Sequence, residues 1–466
     1  MKILFAASEC VPFVKSGGLG DVMGSLPGVL KESGADVRMI LPLYSGIAAE
    51  YADKMKHIDF FEVELSWRKL YCGIFEMKQG GITYYFVDNE YFFKRPDLYG
   101  YDDDCERFAF FSKAILQFID INKKFKPDVI HCNDWHTALI PLFKKELFGD
   151  SKRLAKTKTL FTIHNIKHQG VFSKYWFTDL LGFHGNQHAW HLLSHHGSIN
   201  YMKAGIMGAD RVTTVSPTYS REIRDSFYGE GLEGVIQSLP KGVTGILNGI
   251  NYKHKDFDKG LTKAAIQEEM GLAVRRDVPL ITMIARLTAQ KGLDLVIHIL
   301  DELAMEDVQI VFLGSGEAAY ENILRHYESK YPHRIRACIQ FDEELAEKLY
   351  MGADLFLMPS TFEPCGTSQL MAMEYGTIPI VRETGGLLDT VTAYNKYTGE
   401  GTGFSFSNIN AHELLFTIKK ALEVYWNDKP AWRKLERSAA GSDFSWKKSA
   451  EEYMKLYEEI IRDESK

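Results

Sequence analysis

Apolar and polar positions along this chain alternate between two periods. Short continuous apolar runs, such as Ile3-Leu4-Phe5-Ala6-Ala7, read as buried strands. Stretches with apolar residues three and four apart read as helices. In the first half this predicts strands at 3–7, 36–43, 128–132, 159–163 and 211–216, a helix over 23–30 and an amphipathic helix over 106–122. Residues 58–87 break the alternation. Three short β-rich runs, separated by Trp67-Arg68-Lys69 and Gln79-Gly80-Gly81, predict an antiparallel insertion. The pattern pauses at Leu239-Pro240-Lys241-Gly242. A strand at 243–247 then leads to the turn dipeptide Asn248-Gly249. A second series follows, with strands at 279–286, 308–313, 335–340, 354–358 and 377–381. The helices between them fall at 292–304, 317–329, 342–351 and 366–375. Near the end, Trp446, Ala450, Tyr453, Tyr457 and Ile460 make one apolar stripe on a last helix.

Strands alternating with helices predict an α/β class with parallel sheets. With 466 residues the chain is long enough for roughly two to four domains. The pause near 240 divides it into 1–240 and 241–444, followed by the helical segment 445–466. Composition adds exclusions. The chain is 45% hydrophobic with a net charge of -7 and has no dominant basic run, which disfavours nucleic acid as a partner. Six cysteines (Cys10, Cys72, Cys105, Cys132, Cys338, Cys365) contain no C-x-x-C pair. They read as reduced thiols of a cytoplasmic protein, without a disulfide framework or structural zinc. The five apolar residues before Ser8-Glu9 are too few for a secretory core, and no run is long enough for a membrane helix.

The candidate chemistry lies between strands and helices. Lys15-Ser16-Gly17-Gly18-Leu19-Gly20-Asp21-Val22 follows the first strand, and its glycines, Lys15 and the N–H groups of a helix start suit an anion. It is not the G-x-G-x-x-G of dinucleotide folds, so a nicotinamide dehydrogenase is disfavoured. Asn133-Asp134-Trp135-His136 and His164-Asn165 stand at carboxyl ends of strands, where a ligand crevice of an open α/β sheet lies. In the second half, Arg286 and Lys291 bracket a loop before a helix. Two such cations suit a pyrophosphate leaving with growing negative charge. Gly314-Ser315-Gly316 is a further turn between strand and helix, suited to lie under a nucleotide. Glu363, between two prolines in Phe362-Glu363-Pro364-Cys365-Gly366, is a carboxylate suited to sugar hydroxyls. Thr384-Gly385-Gly386 is another glycine pair at a strand end. His184, His188, His191, His195 and His196 have no carboxylate or cysteine among them, and glycines interrupt them; they read as a polar surface segment, with no metal site.

Taken in order, these stretches resemble the bacterial glycogen synthases and plant starch synthases. So do Lys203-Ala204-Gly205-Ile206, residues 209–219 and Asn248-Gly249-Ile250. The resemblance covers nearly the whole chain, with Ser16 where Thr is commoner and Asn251 where Asp is usual. Met371 stands where related retaining transferases often carry a second Glu, as suits this branch. The resemblance implies a GT-B fold, two Rossmann-like domains across a deep cleft, with the last helix packing back on the first domain. It implies ADP-glucose as donor, an α-1,4-glucan as acceptor, retention of configuration and no cofactor. By matching motif, Lys15, Gly17 and Gly18 would approach the donor, and Arg286 and Lys291 would hold its diphosphate. Asp134, Trp135, His164, Asn165, Asn248, Glu363 and the backbone at Cys365-Gly366 would surround the glucosyl unit. Thr384, Gly385 and Gly386 would offer backbone to phosphate, and Phe341 would replace a Tyr often found near the adenine. The rivals are a glucan phosphorylase, which needs a pyridoxal phosphate lysine, and a non-catalytic glucan-binding protein. Oligomeric state is not legible from these residues.

Overall fold

The computed structural model describes residues 1–253 and 256–463. The end of the predicted segment 445–466 thus lies outside the described residues. The chain divides into two compact units. One comprises Met1–Val215, Ser220–Ile246 and the C-terminal segment from Trp446; the other comprises Ser216–Tyr219 and Leu247–Ser445.

The first unit holds β1 (Lys2–Ala6), β2 (Asp36–Pro42), β3 (Lys56–Leu65), β4 (Arg68–Gln79), β5 (Ile82–Asp88), β6 (Val129–Asn133) and β7 (Lys158–Ile163). It continues with β8 (Val171–Ser173), β9 (Ser194–His195), β10 (Ser198–Asn200), β11 (Arg211–Thr214) and β12 (Thr244–Gly245). Nine of these form one sheet in the order β12-β11-β7-β6-β1-β2-β5-β4-β3. Ile3 to Ala6 are fully buried, as are most residues of β2, β6 and β7. Strands covered on both faces need such uninterrupted apolar runs.

The three runs expected at 58–87 do pair antiparallel, β3 with β4 and β4 with β5, but they form the edge of this sheet and are no separate insertion. β5 pairs antiparallel with β4 but parallel with β2, Arg38 opposite Thr83. The reason is on β5 itself: Tyr84, Tyr85, Phe86 and Val87 are all buried, so the strand needs cover on both faces. The strand expected at 243–247 shrinks to two residues. A small antiparallel sheet of β8, β10 and β9, too short to show a period, had no forecast.

The second unit carries β13 (Leu280–Ile284), β14 (Gln309–Leu313), β15 (Ile335–Cys338), β16 (Leu355–Met358), β17 (Ile378–Arg382) and β18 (Phe404–Phe406) in the parallel order β15-β14-β13-β16-β17-β18. Its core joins Ile281, Phe312, Leu355 and Ile380 to Leu300, Ile418 and Trp432 from the flanking helices. No helix among the described residues is long and apolar enough to cross a membrane.

In both sheets chain order reverses beside the first strand. β1 lies between β2 and β6, and β13 lies between β14 and β16. Loops leaving the carboxyl ends of the two strands at such a switch point diverge to opposite faces and open a crevice between them. The loops after β1 and β6 carry Lys15, Gly17, Gly18, Asp134 and Trp135, and those after β13 and β16 carry Arg286, Lys291, Glu363, Cys365 and Gly366; His164 and Asn165 follow β7, Asn248 follows β12, Phe341 follows β15, and Thr384, Gly385 and Gly386 follow β17.

The helix Trp446–Arg462 belongs to the first unit and packs on the helix Gly18–Glu32. Its stripe buries Trp446, Ala450, Tyr453, Tyr457 and Ile460. The Tyr457 hydroxyl lies 2.7 Å from buried His131 Nδ1, and His131 Nε2 lies 2.6 Å from Thr162 Oγ1.

Candidate functional site

In the first unit the helix after β1 begins at Gly18, with Gly17 as N-cap and Asp21 in its first turn. Lys15 and Asp21 form a half-exposed ion pair of 2.8 Å. The N–H groups expected to be open to an anion are partly taken already. The Glu9 carboxylate, 4% exposed, accepts from the Ser16 and Gly17 N–H groups, the Ser16 hydroxyl and the Tyr99 hydroxyl. Gly17 and Gly18 are not required by crowding: a Cβ at either would meet no atom within 4 Å.

Across the switch point, Asp134 follows β6 with φ of 54° and ψ of -178°. Such backbone costs a non-glycine residue about 1–3 kcal/mol and is held only by its surroundings. Here the His164 N–H donates to Asp134 Oδ1 at 2.7 Å, and the Asn165 N–H also donates to the carboxylate. Burial pushes the Asp134 carboxyl up to about 7, against these hydrogen bonds and with a smaller push from the Glu9 charge. His164 is pushed down to about 3 by burial. It is therefore a neutral ring at working pH. Asn133 spends its amide N–H groups on the Ala6 and His131 carbonyls, so its Oδ1 is the acceptor of the 2.9 Å bond with His164 Nε2. That leaves the His164 Nδ1 lone pair as an acceptor.

Trp135 is 8% exposed, packed edge-on against Phe108 and close to His136. It forms part of the wall of a cavity of about 400 Å³ within this unit, with Tyr101, Asp104, His168, Gln169 and Phe172. Elsewhere in the unit, His188 Nδ1 and the Asn186 amide both meet the Glu146 carboxylate, at 2.5 and 2.6 Å. This carboxylate lies outside the histidine-rich stretch in sequence.

In the second unit the loop after β13 contains a short 3-10 turn, Ala289–Lys291, which lies against the loop after β16. The Thr361 N–H donates to the Gln290 carbonyl at 2.8 Å. Lys291 Nζ then reaches Glu363 Oε2 at 2.6 Å, and the Ser360 hydroxyl donates to the same oxygen at 3.0 Å. Glu363 is 7% exposed. Arg286, by contrast, is exposed and has no ion-pair partner among the described residues. The structure thus joins the predicted Lys291 and Glu363 while leaving the Arg286 guanidinium open to an anion.

The remaining predicted residues divide in the same way. The Gly386 N–H donates to the Glu363 carbonyl at 3.2 Å, docking the turn after β17 onto the Glu363 loop. A Cβ on Gly385 would lie 1.9 Å from the Glu363 carbonyl oxygen, and one on Gly386 2.1 Å from that of Cys365. Both glycines are thus required by this loop-on-loop approach, whatever ligand is present. Thr384, buried, is the N-cap of the helix that follows. The Asn248 N–H donates to the Cys365 sulfur, and burial pushes that thiol up to about 12, so it stays uncharged. Asn248 Oδ1 is buried without a partner among the described residues. Gly366 has φ of 71° and is braced by Gln369, whose amide donates to the Cys365 and Gly366 carbonyls. Phe341 is 79% exposed and joins none of these groups.

Sequence reading missed Glu9, Tyr99, Gln369 and Arg382. Arg382, 3% exposed, holds the Ser360, Thr361 and Ser407 carbonyls. It was hidden at the end of a buried strand. Glu9 had a signal: it is a carboxylate two residues beyond an apolar strand at the chosen loop.

Two α/β sheets, each with polar residues on loops at a switch point, define a GT-B-like fold. Comparison with known proteins narrows the class. Residues 2–238 match the starch synthase catalytic domain family, and residues 267–436 match the glycosyl transferases group 1 family. A glycogen synthase of Desulfitobacterium hafniense is 50% identical over 463 residues, covering 99% of each chain. One of Clostridium novyi is 48% identical, again over 99% of each. The catalytic domain of Arabidopsis thaliana starch synthase IV, bound to ADP and acarbose, superposes with a TM-score of 0.86 at 31% identity, covering 99% of each chain. A sucrose-phosphate synthase of Thermosynechococcus elongatus, 18% identical with a TM-score of 0.63, shares the fold. The chain belongs to the glycogen and starch synthase family of glycosyltransferases.

Proposed function

We propose that this enzyme transfers glucose from ADP-glucose to the non-reducing end of an α-1,4-glucan with retention of configuration. The observation that carries the reading is the pairing of Lys291 with Glu363, together with an exposed Arg286 on the same loop that has no ion-pair partner among the described residues. An incoming diphosphate finds the Arg286 guanidinium unengaged, and among the described residues Lys291 has one carboxylate, Glu363, to leave or share. Both cations then oppose the charge that grows on the leaving ADP, where preorganised donors act most strongly. Glu363 and Asp134 are carboxylates for the sugar, which becomes cationic as the C1–O bond lengthens. His164 is a neutral hydrogen-bonding group, since burial keeps its ring unprotonated. The Cys365 thiol is neutral as well, so that residue serves through its backbone.

We further propose same-face attack. The C1–O bond to the diphosphate breaks, the acceptor hydroxyl forms the new C1–O bond, and its proton passes to the departing phosphate oxygen. No covalent glucosyl–protein adduct is then formed, and trapping one would overturn the step. The cavity walled by Trp135, Tyr101, Asp104 and Phe172 has the mix of aromatic faces and polar edges that suits an acceptor sugar.

The test is ADP release from ADP-glucose or UDP-glucose, with and without glycogen. Glucan-dependent release, fastest with ADP-glucose, supports the reading. Glucan binding without release points to the non-catalytic rival, and release that needs pyridoxal phosphate and inorganic phosphate points to a phosphorylase.

A further inference from the structure

We propose that Glu9 is a positioning residue for the transfer reaction: its buried carboxylate is the template on which the Lys15–Gly17 backbone is held for the donor. The proposal rests on the donor reading of that loop given above.

A carboxylate offers about four lone-pair sites. Those of Glu9 meet four donors: the Ser16 and Gly17 N–H groups (the latter at 3.1 Å), the Ser16 hydroxyl at 2.8 Å and the Tyr99 hydroxyl at 2.7 Å. The Ser8 hydroxyl lies 2.7 Å from the same Tyr99 oxygen. Glu9 has no ion-pair partner among the described residues, so dipoles alone balance a charge that is 4% exposed. This is a costly way to satisfy a loop. Ser16 is exposed and Gly17 is partly so, and water could serve their N–H groups equally well. What the carboxylate adds is shape. Charge-assisted bonds to two successive residues fix the turn that carries Lys15 on one side and Gly18 on the other. The Glu9 charge also reaches Asp134 across the switch point, where it adds to the upward push on that carboxyl. Tyr99 ties the same carboxylate to the segment after β5.

The test is a double-mutant cycle on the full-length protein, using E9Q and K15A with kcat/KM for the nucleoside diphosphate glucose that the parent turns over fastest. A failure of the ADP-glucose assignment therefore leaves this test intact. E9Q keeps the size of the side chain but turns a donor toward the loop N–H groups. We expect about a tenfold loss in kcat/KM, and K15A should cost less than about a third as much in the E9Q background as in the parent. A role confined to folding lowers Tm and leaves the two losses multiplicative. Y99F removes one of the four bonds without touching charge and should lose roughly two- to threefold with the same coupling to K15A. Where E9Q does not fold, the Y99F cycle decides. Equal K15A losses in both backgrounds, or a parent-like E9Q, overturn the proposal.

Discussion

Asp134 allows the sharpest test of how the site is built. Its carboxyl is raised from 3.8 to about 7, chiefly by burial, and the group is 7% exposed. Three pKa units correspond to about 4 kcal/mol against the charged form in the folded protein. Below about pH 4 both folded and unfolded chains hold the proton, and no cost arises. Between about pH 4 and 7 the unfolded chain has released it and the folded chain has not, so stability falls as pH rises. Above about 7 the cost is fully present. The deficit is thus about 1.6 kcal/mol at pH 5 and about 4 kcal/mol at pH 8.

Asp134→Asn removes the charge and little else. Asn tolerates positive φ better than most residues, and its Oδ1 can keep the bond from the His164 N–H. Any contact it weakens costs the same at every pH. The variant should therefore gain on the parent by about 2.5 kcal/mol between pH 5 and pH 8, roughly 5 °C in Tm for a unit of this size. At pH 8 it should melt higher than the parent while losing most of its transferase activity. Calorimetry of both proteins at the two pH values measures this. A Tm difference independent of pH would refute the claim that Asp134 is held ionised against its surroundings.

Lys291→Ala should lower kcat by about 10² to 10³ with little change in KM, since the cation acts on charge present only in the transition state; steady-state ADP release reads this, and a raised KM alone contradicts it. Tyr457→Phe leaves buried His131 Nδ1 without its 2.7 Å partner, which should cost about 1–3 kcal/mol and lower Tm without changing kcat at 25 °C. Gly17→Ala and Gly385→Ala should separate by mechanism. The first has open space for its Cβ and should keep or slightly raise the parental Tm while raising KM for the donor. The second meets the Glu363 carbonyl and should lose both stability and activity.

The parts of the fold that were legible share a cause. β1, β6, β7, β13 and β16 are buried on both faces, so their apolar runs stand out without any knowledge of their neighbours. Once they are placed, the loops after them are candidate site loops by position alone. The parts that were not legible depend on partners far away in sequence. β5 reads as a hairpin arm until its parallel pairing with β2 is seen. The stripe on the last helix announces a buried face, but its polar anchor is a histidine 326 residues away. The carboxylate beside the histidine-rich segment comes from Glu146.

The same distinction separates two kinds of glycine at the site, which the sequence presents alike. Gly385 and Gly386 stand where one loop of the second unit crosses another with no space for a Cβ. Their identity is explained by the fold before any ligand is considered. Gly17 has an extended φ of -157°, and neither it nor Gly18 has a neighbour that a Cβ would touch. An alanine there would cost the folded chain little and reduce the freedom of the unfolded one, so folding alone favours replacing them. Under the proposed donor reading, glycine at 17 and 18 serves a ligand that approaches the backbone closely. Glu9 points the same way, since a buried carboxylate holds in one shape a loop that packing leaves open.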